Sequence, residues 1–456
     1  MFGFSNIKNK RMRKRFSPAR ILVLGFVTVI IIGALLLSIP ISSRSGTRVE
    51  FLTALFTSAS ATCITGLTVT DTALTWSLTG RIIILCLIQL GGLGFMSVAS
   101  VFFSVMHKKI NLSQRLLIMH SLNLNDVRDI IQLVWHVIIG TFVFETAGAV
   151  ALWTRSFPEY GLMKGLGMGV FHSVSAFCNA GFDLMGEKGE FSSLRAYSGD
   201  TTVMIVIILL VIIGGLGFFF WEDVWHSRCF KKLHLHSKMV IVTSGSLLLL
   251  GWIFFYLSER KNPLTIGNMS LPNALFASLF QSVMPRSGGF SIVDQNMLAG
   301  VSKMTATILM FIGGSAGSTA GGIKNVTAGI LFLSAINALR GKPGVSVFKR
   351  TIPPRQIVSA ISIMIMSLTV CFTGTVVIAL LQPELSISGI IFEVVSAVAT
   401  CGLSHGITSI LAPVPIIIIV LFMLFGRVGI MTLGMAAFVR RSSAEKIKYP
   451  DSWVMM

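Results

Sequence analysis

Charge is what this sequence has least of. Asp, Glu, Lys and Arg make up 12% of its 456 residues, against about a quarter in soluble globular domains. Acid is the scarcer half: 18 Asp and Glu stand beside 37 Lys and Arg. So little charge excludes a water-soluble surface. Six cysteines (Cys63, Cys86, Cys178, Cys229, Cys371, Cys401) form no CxxC pair and mostly sit in apolar stretches, where thiols behave as small hydrophobes; a disulfide framework is excluded. His226-x-x-Cys229 with His234 and His236 lacks a standard zinc spacing. Gly317–Lys324 lacks the Gly-Lys-Ser/Thr ending of a phosphate loop, and Gly313-Gly314-Ser315-Ala316-Gly317 has no strand-to-helix context for a hydrolase nucleophile. No soluble nucleotide-binding domain is evident, which disfavours an ATP-driven pump. No span carries regularly spaced arginines, which argues against a voltage sensor.

Apolar length is what the chain has instead. Hydrophobic residues account for 53%, mean hydropathy is +0.81, and runs such as Ile21–Ile39, Arg81–Val105 and Thr202–Trp221 approach the ~20 residues that span a bilayer. The net charge of +19 is not spread over a face that could bind nucleic acid. Of 37 basic residues, 24 fall in 1–20, 106–130, 226–238, 340–355 and 436–456, between apolar blocks. Alternate connections hold the acids, among them Glu50, Asp71, Glu159, Asp183, Glu187, Glu190, Asp200, Glu259, Asp294 and Glu384. Basic residues favour the cytoplasmic side, so both termini are expected inside a multi-pass membrane protein. The first run follows Lys8–Arg15, but it exceeds a signal-peptide core and lacks a small-x-small cleavage site, so it reads as an uncleaved span.

A pattern recurs four times: Phe56-TSASATCIT-Gly66-Leu67, Phe171-HSVSAFCNA-Gly181-Phe182, Leu279-FQSVMPRSG-Gly289-Phe290 and Phe392-EVVSAVATC-Gly402-Leu403. Three copies share Phe ten positions before the glycine and Ser-Ala six and five before it. A second fingerprint follows each: Gly91-Gly92-Leu93-Gly94, Gly214-Gly215-Leu216-Gly217, Gly313-Gly314-Ser315-Ala316-Gly317 and Gly426-Arg427-Val428-Gly429. Every unit then parses as a full span, a semi-apolar stretch too short to cross, and a second span. First spans are expected near 21–42, 128–153, 239–258 and 356–381; second spans near 81–105, 202–222, 303–339 and 414–438. The expected fold is an all-α membrane protein of four helix–re-entrant loop–helix repeats, eight spanning helices around one pore with pseudo-fourfold symmetry. Its parts are a basic N-terminus (1–20), repeats at 21–110, 128–225, 239–340 and 354–440, and a cytoplasmic tail (441–456).

Irregular backbone at membrane depth is tolerated where it is buried or lines a water-filled path, and ringed carbonyls replace a cation's hydration shell. Ile64-Thr65-Gly66, Asn179-Ala180-Gly181, Ser287-Gly288-Gly289 and Thr400-Cys401-Gly402 are therefore the expected ion-binding filter. Glycine supplies the positive φ that turns successive carbonyls to one axis. A loop of Gly313, Gly314, Ser315, Ala316, Gly317, Ser318, Thr319, Ala320, Gly321 and Gly322 interrupts the third repeat's second span. Each Gly costs about 1 kcal/mol of helix relative to Ala, so the segment is expected to unwind below the filter. Arg427 replaces a glycine of the other repeats, and a charge inside a span is expensive and usually functional. Glu393 is expected to open the fourth half-helix and Arg286 to brace the third loop. Glu145, inside a span, needs a polar partner, and Lys324 is placed at an interface.

The four loop–glycine units and the closing Gly-Arg-Val-Gly (426–429) resemble the Trk/Ktr/HKT superfamily of potassium transporters, over about residues 20–450. The membrane subunit of the bacterial Ktr system is the nearest match. That resemblance implies K+ as the transported ion, favoured by glycine at position 66, Na+ as a candidate activator, and no organic cofactor. It also implies that the loop 313–322 obstructs the path with Arg427 facing the pore beside it. Further implications are a homodimer in the lipid bilayer, one pore per chain, and a cytosolic ring of nucleotide-binding regulatory subunits. No loop reads TVGYG, as classical potassium channels do. The alternative class is a secondary cation symporter.

Overall fold

The computed structural model describes residues 18–94, 130–342, 344–429 and Thr432. Within them the chain is almost entirely helical. In the first repeat, α1 (Pro18–Leu37), α2 (Phe51–Thr62) and α3 (Leu78–Leu93) follow one another. The second is α4 (Ile130–Phe177), α5 (Thr201–Leu216) and α6 (Phe218–Ser227). The third is α7 (Leu235–Glu259), α8 (Leu271–Val283), α9 (Gly300–Phe311) and α10 (Asn325–Leu339), and the fourth α11 (Pro354–Leu381), α12 (Ile387–Ala399) and α13 (Pro413–Val428). A two-stranded hairpin, β1 (Ser346–Val347) and β2 (Arg350–Thr351), joins the last two units.

Local chemistry sets the starts. Asp71, Ser77, Asp200 and Ser386 each accept amide bonds as N-caps, and prolines open α11 and α13. Helix α1 has 20 residues, about 30 Å at 1.5 Å per residue. Helices α2, α8 and α12 have 12, 13 and 13, too short to cross and buried toward their C-terminal ends. The long spans instead present Leu24, Ile32 and Leu35 of α1, and Ile365, Phe372 and Leu380 of α11, to the outside. That surface suits hydrocarbon rather than water.

Among the described residues, four helices are by themselves long and apolar enough to cross a membrane, or five with the α5–α6 pair counted as one. The difference from eight continuous spans lies in the second limbs. Interruption was expected only in the third repeat, yet α5 and α6 meet at 90° across Gly217. Helices α3 and α13 likewise end at Gly94 and Gly429. These glycines adopt φ of 76, 98 and 88°, a region that side chains disfavour and that stops a helix. In the second repeat, span and half-helix run on as one segment, broken only at Gly161 (φ 75°).

Within each unit the first span packs on its half-helix: α1 on α2, α7 on α8 and α11 on α12. Between units the succession is cyclic. Helix α3 packs on α4, α5 on α8, α9 on α12, and α13 returns to α2. Each second limb thus meets the re-entrant segment of the next repeat, which brings the four loops to one place. The basic segment 106–129, most of the N-terminus and the tail 441–456 lie outside the described residues, as do the ends of the expected spans 81–105 and 414–438.

Candidate functional site

The Ser-Ala fingerprint explains how each half-helix ends. The amides of Thr65, Ala180 and Cys401 donate to the carbonyls of Ser60, Ser175 and Ser396 at 2.7–2.8 Å, while those of Ile64, Asn179 and Thr400 donate to Ala61, Ala176 and Ala397 at 3.1 Å. Paired bonds of this kind form a Schellman stop, which demands a left-handed residue at its centre. Here that residue is not glycine: Ile64, Asn179 and Thr400 have φ of 51, 58 and 49°. The third loop reaches the same conformation by another route, with Ser287 at φ 69° and Gly288 donating to Met284. Two positions on, Gly66, Gly181, Gly289 and Gly402 are again left-handed, with φ of 85, 70, 73 and 93°. Alternating hands along three residues turn successive carbonyls toward one side. A β-branched residue held there costs on the order of 1–3 kcal/mol, and such strain clusters at functional sites.

The four loops abut in order. A methyl added to Gly66 would run into the Ala180 carbonyl, and one at Gly181 would lie 2.9 Å from the Gly289 Cα. At Gly289 it would lie 2.6 Å from the Cys401 carbonyl, and at Gly402 it would strike the Thr65 carbonyl. Each glycine is therefore required twice, for its φ and for the backbone beside it. Thr65 and Thr400 bury hydroxyl oxygens that meet no protein partner, oxygen that water or a cation can use. One side of the ring opens into a cavity of about 320 Å³ bordered by Asp183, Glu190 and Asp294.

Behind the ring the loops are braced individually. Glu393 lies in the middle of α12, not at its start, because the helix begins at Ile387 under a Ser386 cap. Its carboxylate accepts from Ser404, from the His405 amide at 3.1 Å and from Thr408 at 2.9 Å, fixing the segment after the fourth loop's Gly402. Arg286 donates to the Ser244 carbonyl and hydroxyl at 3.3 Å, and Ser244 in turn accepts from Asn325, the first residue of α10.

The Gly-rich segment is unwound between α9 and α10 and held by the neighbouring repeats. Ser315 and Thr319 donate amides to Gly215 and Gly214, Gly317 accepts from Phe218, and Thr319 Oγ1 donates to the Phe177 carbonyl. Gly321 packs against Thr400 of the fourth loop. Arg427 donates to the carbonyl of Thr319 at 2.6 Å and to those of Gly91 and Gly92. It thus ties the segment to the C-terminal carbonyls of α3, the pole that favours a cation. Lys324 is half-buried and donates to the Ala320 carbonyl at 2.8 Å. With Arg427 it borders a second cavity, of about 450 Å³.

Residues 6–449 match the family model described as cation transport protein, TrkH. The chain belongs to the TrkH/Ktr family. It is 38% identical to the potassium/sodium uptake protein NtpJ of Enterococcus hirae over 454 residues, covering 99% of each chain. To the Ktr system potassium uptake protein B of Bacillus subtilis it is 37% identical, covering 96% of this chain and 97% of the relative. Among solved structures it resembles the potassium transporter TrkH of Vibrio parahaemolyticus, with a TM-score of 0.72, 18% identity, and coverage of 93% and 86%. At that identity the likeness speaks for the helical fold.

Reading this TrkH/Ktr chain by its motifs alone misses a third fingerprint. Ser58, Ser173 and Ser282 of the half-helices donate to the first-span carbonyls of Ile30, Glu145 and Leu248 at 2.6–2.8 Å. Facing them are Gly33, Gly148 and Gly251, where a methyl would collide with the serine oxygen. The signal available was a glycine in the first span of three repeats, 33 to 38 residues ahead of Gly66, Gly181 and Gly289.

Proposed function

We propose that this chain is the potassium-translocating, channel-like membrane subunit of a bacterial K+ uptake system. The reading rests on one observation above all: four loops with paired left-handed residues at equivalent positions abut through Gly66, Gly181, Gly289 and Gly402. On this reading the carbonyls of Ile64, Thr65, Asn179, Ala180, Ser287, Gly288, Thr400 and Cys401, with those of the four glycines, replace the ion's hydration shell. Residues Gly313–Gly322 then act as the gate, held closed by Arg427. The broken second limbs each count as a crossing, giving eight around a pseudo-fourfold axis, with repeats 21–110, 128–225, 239–340 and 354–440 and both termini cytoplasmic in the inner membrane. The relatives named potassium uptake proteins support K+ as cargo. Those named as parts of a Ktr system support a regulatory partner, here a cytosolic nucleotide-binding ring docked on a homodimer.

A potassium-transport-deficient bacterium expressing the chain, with and without Gly402→Ser, tests the reading by rubidium uptake. Uptake that depends on Gly402 supports a four-loop filter; uptake indifferent to it overturns one. The symporter alternative draws on the potassium/sodium name of the Enterococcus hirae relative. Simultaneous sodium and rubidium flux decides it, since a fixed stoichiometry marks coupling whereas stimulation without sodium entry marks Na+ as an activator.

A further inference from the structure

Glu145 is a buried carboxyl that the pathway described above does not use. It lies in α4 at 5% exposure. Gln89 Nε2 donates to its Oε2 at 3.0 Å, and the Cys178 thiol lies 3.7 Å from Oε1 and 3.4 Å from Gln89 Oε1. Cys178 immediately precedes Asn179 of the second filter segment, and Gln89 stands two residues before Gly91, whose carbonyl Arg427 engages. The Glu145 backbone also accepts from Ser173, which clamps the half-helix to the span. The carboxyl is therefore held directly behind one filter loop.

Its partners are neutral, and among the described residues it enters no ion pair. Arg427 spends its donors on the carbonyls of Thr319, Gly91 and Gly92. The other loops handle charge differently. Glu393 is satisfied by three donors after the fourth filter, and the third loop carries a buried cation, Arg286, at the position equivalent to Cys178. An ionised carboxylate inside a membrane protein needs a counter-charge; with Arg427 committed to backbone carbonyls, a cation seated at Asn179–Gly181, which begins one residue past Cys178, would supply it. We propose that Glu145 is a fixed charge of the permeation path whose counter-charge is the ion in the filter, so that it sets cation affinity. This rests on the four-loop filter reading.

The test is the concentration dependence of rubidium uptake by proteoliposomes holding the full chain, for wild type, Glu145→Gln and Glu145→Asp. A second readout is the K+ concentration that protects the purified protein from thermal unfolding, because a ligand of the native state stabilises it by mass action. Glu145→Gln is expected to raise the KM and the protective K+ concentration together by about tenfold, with maximal rate within about twofold, as a charge at close range in a poorly screened interior implies. Glu145→Asp, which draws the charge back from the loop, is expected to fall between them. It also carries the test if the Gln variant does not insert. An unchanged KM in both variants, or a loss of maximal rate alone, would show a structural carboxyl and overturn the proposal. A wild-type protein that neither takes up rubidium nor gains stability from K+ would remove the filter reading itself.

Discussion

Ile64, Asn179 and Thr400 share a conformation that their side chains resist, and the Schellman bonds to the Ser-Ala pair are what impose it. Ile64→Gly relieves that cost but deletes a fully buried side chain. The melting temperature in detergent is therefore expected to fall, by less than the about 2–5 kcal/mol that truncating a buried isoleucine costs, since about 1–2 kcal/mol of strain is returned. A fall of the full cavity cost would mean that the left-handed backbone carries no strain. Gly402→Ser acts oppositely: it places a Cβ at φ 93° against the Thr65 carbonyl. Rubidium-over-sodium selectivity should drop at least about tenfold, the equivalent of 1.4 kcal/mol. The glycines were legible in the sequence because their spacing repeats. The left-handed Ile and Thr were not, since β-branched residues disfavour positive φ, and the tolerance of a single Asn for it marks no position by itself.

Among the elements, the half-helices are the most deeply buried and the segment 313–322 the most heavily cross-bonded. Phe392 sits at 1% exposure in α12, and Phe392→Ala is expected to cost about 3–5 kcal/mol, read as lost thermal stability and lower membrane yield. Deleting residues 315–320 should raise rubidium flux, as should Arg427→Gln, which frees the Thr319 carbonyl and the end of α3. Flux unchanged in both variants would remove the gate assignment. Interruption of the third repeat's second limb was visible as a Gly-rich run. The equivalent breaks at Gly94, Gly217 and Gly429 were not, because a single glycine in an apolar span is also compatible with close helix packing. Glu393 was misplaced for a related reason: the shared pattern begins at Phe392, whereas the helix begins with its Ser386 cap.

At the scale of the molecule, each second limb packs on the next repeat's re-entrant segment and the last returns to the first. Closure of this kind buries the irregular loops in protein, the condition for non-helical backbone at membrane depth. A homodimer of the 49.4 kDa chain is expected by light scattering in detergent; a monomer would count against the paired assembly. Docking of a regulatory ring on basic connections should weaken as salt rises, since exposed charges are screened over about 10 Å at 0.1 M.

The sequence by itself determined the membrane class, the four-fold repetition, the family and the positions of the four loop glycines. Composition, hydropathy and spacing are local quantities that need no neighbours to be read. Only the tertiary structure decided which backbones touch: that Gly66 meets the second loop and Gly402 the first, that Arg427 holds Thr319, and that Glu145 stands behind Cys178. Those contacts join residues tens to hundreds of positions apart. They are fixed by the cyclic packing of helices, which no single segment encodes.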